Sequence, residues 1–139
     1  MQNYANTSYG NISLKQATAV SSNTAYIQVA DAIGNDKILS LVKKLGIDTS
    51  DGNIEDVPVM TLGPGSISPL EMASAYGTFA NGGYYRQPIA ITEIDSRTGS
   101  VLYQHTDNPK QVLSAGEAAA VTDVLTGVMQ GSGTGVDGA

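Results

Sequence analysis

The sequence lacks the residues on which several kinds of chemistry depend. It contains no cysteine and no tryptophan, and one phenylalanine and one histidine among 139 residues. The absence of cysteine excludes disulfide frameworks, thiolate catalysis and cysteine-ligated zinc. The single imidazole, His105, excludes a serine–histidine–aspartate relay or a multi-histidine metal site built from this chain alone. A reaction centre must therefore use other groups, and the sequence predicts no metal and no cofactor.

Positive charge and long apolar runs are also scarce. Seven Lys and Arg stand against 13 Asp and Glu, which gives a net charge of −6 and a pI near 4.4. A surface this poor in cations releases few counterions from nucleic acid, so we exclude nucleic acid as a main partner. No stretch approaches the roughly 18 apolar residues of a membrane span. We expect a soluble segment without membrane contact.

Apolar residues recur at helical spacing along most of the chain. The spacing predicts helices over 14–20, 24–33, 36–45, 69–81 and 115–130. Ser13 and Asn35 are predicted to cap the first and third helices. The fourth and fifth open on S-x-x-E capping boxes, at Ser68 and Ser114. The fourth helix is expected to bury a face made of Leu70, Ala73, Tyr76 and Ala80.

Extended structure is predicted in one place only. The runs 89–95 and 100–105, joined by a Ser-Arg-Thr-Gly turn, indicate a β-hairpin. An isolated hairpin is marginal in water, and the last nine residues contain four glycines, too many to finish a domain. We therefore expect an α+β, mostly helical fragment with one β-hairpin, cut from a larger domain.

The triplet Ser21-Ser22-Asn23 lies where one helical pattern stops and the next begins. Side chains two positions apart point about 200° apart on a helix, but they can converge in a turn. A proton-relaying hydroxyl beside an amide that both donates and accepts suits recognition of a peptide-like substrate. The alternative is that Ser22 or Asn23 only caps the second helix.

Four stretches of the chain, in order, resemble one known family. They are residues 9–17 leading into the triplet, residues 62–83, the hairpin 91–103 and residues 124–135. Together they resemble the transpeptidase domain of penicillin-binding proteins, and the bifunctional class A type most of all. That family uses an S-x-x-K motif, which supplies the acylated serine and its lysine, then S-x-N, then K-T-G on a strand. The triplet resembles S-x-N, and no Lys-Thr-Gly occurs. The resemblance implies that residues 1–139 are a partial transpeptidase domain of the penicillin-binding α/β fold, with the nucleophile motif and the K-T-G strand absent.

The resemblance also implies roles for the triplet. Ser21 would hydrogen-bond the catalytic lysine and pass a proton between nucleophile and leaving group. Asn23 would hold that lysine and the substrate's side-chain amide, and Ser22 would fill the variable position. The parent protein would cross-link peptidoglycan stem peptides through a serine acyl-enzyme, bind β-lactams and act at the extracytoplasmic face of the bacterial cell membrane. The fragment alone would be inactive.

Two other functions fit the same residues. A D,D-carboxypeptidase of the same superfamily would pass the acyl group to water instead of an amine. A non-catalytic helical module would bind peptides or other division proteins and share only ancestry. A Lys-Thr-Gly shortly after Ala139 would favour the enzymes, and its absence would favour the module. Apolar surface left uncovered in the fragment would promote self-association.

Overall fold

The computed structural model of the chain describes residues 2–50, 54, 57–63 and 65–138. The helices in these residues are α1 Leu14–Ala19, α2 Asn23–Ile33, α3 Asn35–Lys44, α4 Pro69–Ala80 and α5 Ala115–Thr126. The strands are β1 Tyr84–Tyr85, β2 Glu93–Asp95, β3 Val101–Gln104 and β4 Lys110–Gln111. A 3-10 turn, Pro58–Leu62, packs on α2. The mostly helical α+β architecture is the one that the sequence predicts.

Serine side chains begin four of these helices. Ser13, Ser22, Ser68 and Ser114 each accept a hydrogen bond from the backbone N–H three residues ahead. Both predicted capping boxes are complete. The predicted Asn35 cap is wrong, because α3 follows Gly34, whose φ of 95° ends α2 and turns the chain directly into the next helix.

The predicted hairpin is present, and it is joined by a second strand pairing that the sequence did not predict. In the hairpin β2 pairs antiparallel with β3, with a register irregularity between Ile94 and Asp95. In the second pairing, β1 lies antiparallel to β4, so that Tyr84 lies opposite Gln111. The two strands of that pair are only two residues long each, which is too short for alternation to register in a sequence.

Gly83 makes the second pairing geometrically feasible. Its carbonyl accepts from the backbone N–H of both Val112, at 2.9 Å, and Leu113, at 3.1 Å. Its φ is 93°, and a Cβ built there would collide with the backbone carbonyl of Leu113. Only glycine satisfies both requirements.

The buried core is small and made largely of short side chains. One cluster joins Leu45 and Ile47 with Ala75 of α4. The face of α4 that the sequence predicted to be buried is exposed: Leu70 is 63% and Tyr76 52% accessible, while Ala75 and Thr78 are buried. Because α4 carries apolar residues on several sides, its periodicity did not select the buried face.

The surface is large for the mass of the chain. Its accessible area is 9365 Å², whereas a compact monomer of 14.3 kDa exposes about 6,800 Å². Within the described part of the chain, no helix has the length and hydropathy needed to cross a bilayer.

The glycine-rich C-terminal segment packs against α1. The backbone N–H of Thr134 donates to the carbonyl of Ala19 at 3.0 Å. Ser132 accepts from the side-chain amide of Gln16 at 3.4 Å. A Cβ at Gly133 would collide with the carbonyl of Val128, so the glycine permits this close approach. The segment therefore supports the end of α1, a contact that its composition did not predict.

The two capping boxes make stability depend on pH. The Ser68 hydroxyl, followed by the backbone N–H groups of Asp48 and Ser68, holds the pKa of Glu71 below its usual 4.5. The backbone N–H and then the hydroxyl of Ser114 do the same to the pKa of Glu117. Carboxylates with lowered folded-state pKa values contribute stability that is complete above pH 4.5 and is lost as the pH falls through those values.

We therefore expect the urea midpoint of unfolding to fall as the pH decreases below 4.5. NMR titration should give both glutamates a pKa under that value. Ser68→Ala should return the pKa of Glu71 toward its usual value and leave that of Glu117 unchanged. A wild-type pKa of 4.5 or more for either group would contradict the assignment.

Candidate active site

The polar triplet interrupts what would otherwise be one long helix. Val20 is the C-cap residue of α1, and Asn23 begins α2. Between them, Ser21 has a φ of 53°, and Ser22 is extended with φ −74° and ψ 106°. The backbone N–H of Ser21 donates to the carbonyl of Thr18 at 3.1 Å, and that of Ser22 to the carbonyl of Ala17 at 2.8 Å. The two predicted site residues, Ser21 and Asn23, thus lie on either side of a helix break.

Ser21 holds a strained backbone conformation. A left-handed φ costs a residue with a Cβ roughly 1–2 kcal/mol, because the Cβ crowds the following carbonyl oxygen. Such strain persists only where the surroundings enforce it, and it concentrates at functional sites. The left-handed φ of Ser21 therefore indicates a candidate functional turn independently of any sequence motif.

The two serines of the triplet have different environments. Ser22 is 3% exposed, and its hydroxyl accepts from the backbone N–H of Ala25 at 3.4 Å, so the prediction of a helix cap is confirmed for Ser22. Ser21 is exposed, and among the described residues its hydroxyl has no hydrogen-bond partner. Ser22 is therefore used as the helix cap, whereas the exposed Ser21 hydroxyl is available to a ligand.

Ser21 and Asn23 line the same cleft, which has a volume of about 390 Å³. The break between α1 and α2, the 3-10 turn Pro58–Leu62 and helices α4 and α5 all contribute to its walls. The lining residues are Thr18, Ser21, Ser22, Asn23, Tyr26, Thr61, Leu62, Tyr76 and Leu125. The turn thus directs the pair into one site.

The cleft is lined by neutral groups. Hydroxyls predominate, and the Thr18 hydroxyl lies 2.5 Å from the phenol oxygen of Tyr26. Tyr76 packs edge-on against Phe79, with 5.9 Å between ring centroids, and is 52% exposed. None of the described lining residues is Asp, Glu, Lys, Arg or His. The site can therefore hydrogen-bond a peptide-like ligand, but it offers Ser21 no strong base.

Sequence reasoning did not assign six of the lining residues to this site, and four of these six carry hydroxyl groups. Tyr26 lies three positions after Asn23 on α2, so helical spacing alone would have put it on the same face. Thr18 lies three residues before Ser21, about one helical turn, so the same spacing would have placed it beside the break. Thr61 and Tyr76 approach from other elements, and nothing local to them in the sequence indicates it.

One Ser-x-x-Lys spacing occurs in the chain, at Ser40-Leu41-Val42-Lys43, although the sequence reasoning expected no such motif. The segment belongs to α3 and follows the triplet, whereas the family places the nucleophile motif before it. Both Ser40 and Lys43 are exposed, and neither lines the cleft. This spacing therefore does not supply a nucleophile to the cleft.

Among the residues that the structure describes, no group of three or more His, Cys, Asp or Glu side chains could hold a metal ion. His105 lies just after β3, and its backbone N–H donates to the carbonyl of Thr92 at 2.7 Å. It is not among the residues that line the cleft.

The sequence matches the profile of the penicillin binding protein transpeptidase domain over residues 1–138. The chain therefore belongs to the penicillin-binding protein transpeptidase family. It is 33% identical over 128 residues to penicillin-binding protein 1A of Aquifex aeolicus, covering 92% of this chain and 17% of that protein. It is 35% identical over 130 residues to penicillin-binding protein 1A of Clostridium botulinum, covering 91% of this chain and 16% of that protein. The chain thus spans about one sixth of the length of these relatives.

Solved structures agree on the fold. The crystal structure of penicillin-binding protein 1A from Haemophilus influenzae matches 94% of this chain and 24% of its own, with a TM-score of 0.84 and 21% identity. The D,D-transpeptidase domain of a peptidoglycan glycosyltransferase from Eggerthella lenta matches 100% and 41%, with a TM-score of 0.80 and 25% identity. An imipenem acyl-enzyme complex of penicillin-binding protein A from M. tuberculosis matches 91% and 34%, with a TM-score of 0.77 and 21% identity.

The different environments of the two serines generate a stability prediction. Ser22→Ala removes a helix cap and should lower the free energy of unfolding by about 1 kcal/mol. Ser21→Gly should be more stable than Ser21→Ala by roughly 1–2 kcal/mol, because both lack the hydroxyl and only alanine keeps a Cβ in the left-handed conformation. Urea denaturation of the three variants measures both effects. Equal stability of Ser21→Gly and Ser21→Ala would contradict the left-handed turn.

Proposed function

We propose that this chain is part of a D,D-transpeptidase that cross-links peptidoglycan stem peptides through a serine acyl-enzyme. Family membership supports the reaction class. The observation that carries the proposal is the helix break that brings Ser21 and Asn23 to one cleft while the residue between them, Ser22, caps α2. A pair that only ended one helix and began another would not need the strained φ of 53° at Ser21.

In the proposed reaction the nucleophile is a serine outside these residues, paired with a lysine. Its oxygen attacks the carbonyl carbon of a stem-peptide amide, the C–N bond breaks, and an ester to the enzyme forms. The proton of the nucleophile passes through the lysine and the Ser21 hydroxyl to the departing amine. A hydroxyl suits this transfer because it donates one proton while it accepts another. In the second half-reaction an amine of another stem peptide attacks the carbonyl carbon of the ester. A new C–N bond forms, the C–O bond to the enzyme breaks, and the proton of the amine returns by the same route to the serine oxygen.

Asn23 is proposed to hold both the lysine and the substrate. Its side-chain oxygen would accept from the lysine ammonium, and its amide nitrogen would donate to a carbonyl of the stem peptide. The hydroxyls of Thr18, Tyr26 and Thr61 give the cleft the neutral hydrogen-bonding character that a peptide substrate requires.

Two observations support a role as one part of a larger domain. The described cleft lining has no base for Ser21, so the proposed chemistry requires groups from further polypeptide. The accessible surface, 9365 Å², exceeds the amount expected for a compact chain of this mass by about 2,500 Å². We propose that this extra surface, which includes the apolar side chains of Leu70 and Tyr76, packs against the remainder of the transpeptidase domain. The parent would act at the extracytoplasmic face of the bacterial membrane, and the chain alone would be inactive.

A fluorescent penicillin should form a covalent adduct with the full-length parent protein and none with this chain alone. The reason is that Ser21 lacks a base within the described lining and is not the nucleophile. Gel fluorescence and intact-mass spectrometry make the comparison. An adduct on the isolated chain would mean that it contains a nucleophile, and an unlabelled parent would contradict the proposed acyl-enzyme.

In the parent, Ser21→Ala and Asn23→Ala should slow acylation by a factor of about 10² or more, in the range found when general acid–base groups are removed. Ser13→Ala is the matched control, because it removes the same kind of serine cap from the neighbouring helix α1 and does not line the cleft. It should lower the melting temperature and retain most of the acylation rate. If all three variants lose activity only in proportion to stability, the triplet is a helix cap and not a reaction centre.

A further inference from the structure

The N-terminal segment holds the start of α2 through the side chain of Asn3. The Asn3 Oδ1 atom lies 3.0 Å from the backbone nitrogen of Thr24, 3.3 Å from the Thr24 hydroxyl and 3.3 Å from the Ser22 hydroxyl. The Asn3 Nδ2 atom donates to the carbonyl of Thr7 at 3.0 Å. Every neighbour of Oδ1 is a donor and the neighbour of Nδ2 is an acceptor, so the orientation of this amide is fixed.

Asn3 and Ser22 together satisfy two backbone donors that the first turn of a helix leaves without partners. Asn3 accepts from Thr24, and Ser22 accepts from Ala25. The Ser22 hydroxyl can donate its own proton to Asn3, which links the two acceptors into one network. Since Ser22 is 3% exposed, the network lies beneath the strained turn at Ser21.

The same segment also contacts Asn23, the asparagine of the motif. The side-chain Nδ2 atom of Asn23 donates to the backbone carbonyl of Gln2 at 3.4 Å. A carbonyl can only accept, so this contact decides which end of the Asn23 amide is the nitrogen. The Asn23 Oδ1 atom then has no partner among the described residues. It is left as an acceptor, which is the atom that a lysine ammonium requires.

We propose that Asn3 is a positioning residue for the reaction centre. By anchoring Gln2 beside Asn23 and closing the network under Ser22, it holds the hydroxyl of Ser21 and the oxygen of Asn23 in their working orientation. This inference rests on the proposed transpeptidase function, and it concerns a residue outside the S-x-N motif. Asn3 does not line the cleft, so its effect on the reaction passes through Ser22, Thr24 and Gln2.

The test measures the rate constant for acylation of the full-length parent by fluorescent penicillin. Asn3→Ala should lower it roughly 10- to 100-fold, as expected when a supporting group lets reacting atoms shift by a fraction of an ångström or more. Asn3→Asp should restore most of the rate, because a carboxylate oxygen still accepts from the donors of Ser22 and Thr24. Asn11→Ala is the control: Asn11 belongs to the same lead-in, is exposed and makes no side-chain hydrogen bond among the described residues.

A double-variant cycle distinguishes positioning from general stabilisation. If Asn3 acts through Asn23, adding Asn3→Ala to Asn23→Ala should lower the acylation rate much less than it does in the wild type. Three results would overturn the positioning role alone. They are a wild-type acylation rate for Asn3→Ala, an equal loss of rate for Asn11→Ala, or the same fold-loss from Asn3→Ala in the wild-type and Asn23→Ala backgrounds. A wild-type parent that fails to label would overturn the proposed function, and this role with it.

Discussion

The arrangement of the site depends on one left-handed residue. With Ser21 at a φ of 53°, α1 stops and α2 starts in a new direction. An ordinary helical φ at this position would join the two helices and turn the side chains of Ser21 and Asn23 to different sides. Hydrogen bonds on both sides of the turn offset the energy of this strain. Before the turn the carbonyls of Ala17 and Thr18 accept hydrogen bonds, and after it the Ser22 side chain caps α2. The C-terminal segment adds a further contact at Ala19, the last residue of α1.

Polar contacts carry much of the local order, because the buried apolar core is thin. Among the described residues, most of the buried apolar ones are alanines, and the largest side chain that is almost wholly inaccessible is that of Thr78. Alanine buries little apolar area, so packing alone stabilises these helices weakly. The serine caps fix where the helices begin, and the caps are therefore also what fixes the position of the cleft. The exposed ion pair between Lys15 and Asp123, at 2.7 Å, joins α1 to α5 but contributes little in water.

The features that could be predicted from the sequence are those encoded within a few residues. The capping boxes at Ser68 and Ser114 need only a hydroxyl and a carboxylate three positions apart, and both formed as predicted. The hairpin turn and the helix break at the triplet also depend on residues that are neighbours in the sequence. The β1–β4 pairing, the buried face of α4 and the place of Tyr76 in the cleft depend on contacts between distant segments. A periodic pattern contains no information about which partner covers which face, so these could not be read from one sequence. The contacts of Asn3 could not be predicted either, because Asn3 and its partners Ser22 and Thr24 become adjacent only in the folded chain.

The bonds that Asn3 makes to Ser22 and Thr24 join positions only 19 and 21 residues apart. Closing a loop of that size carries a modest entropic cost, and it needs no contact with the strands or with α5. Contacts of low sequence separation also tend to form quickly, ahead of pairings between remote segments. The bonds that hold the turn at Ser21 and the start of α2 thus lie within a short stretch at the start of the described chain. During synthesis from the N-terminus, this turn would take shape before the residues of α4 and α5, which complete the walls of the cleft, had been made.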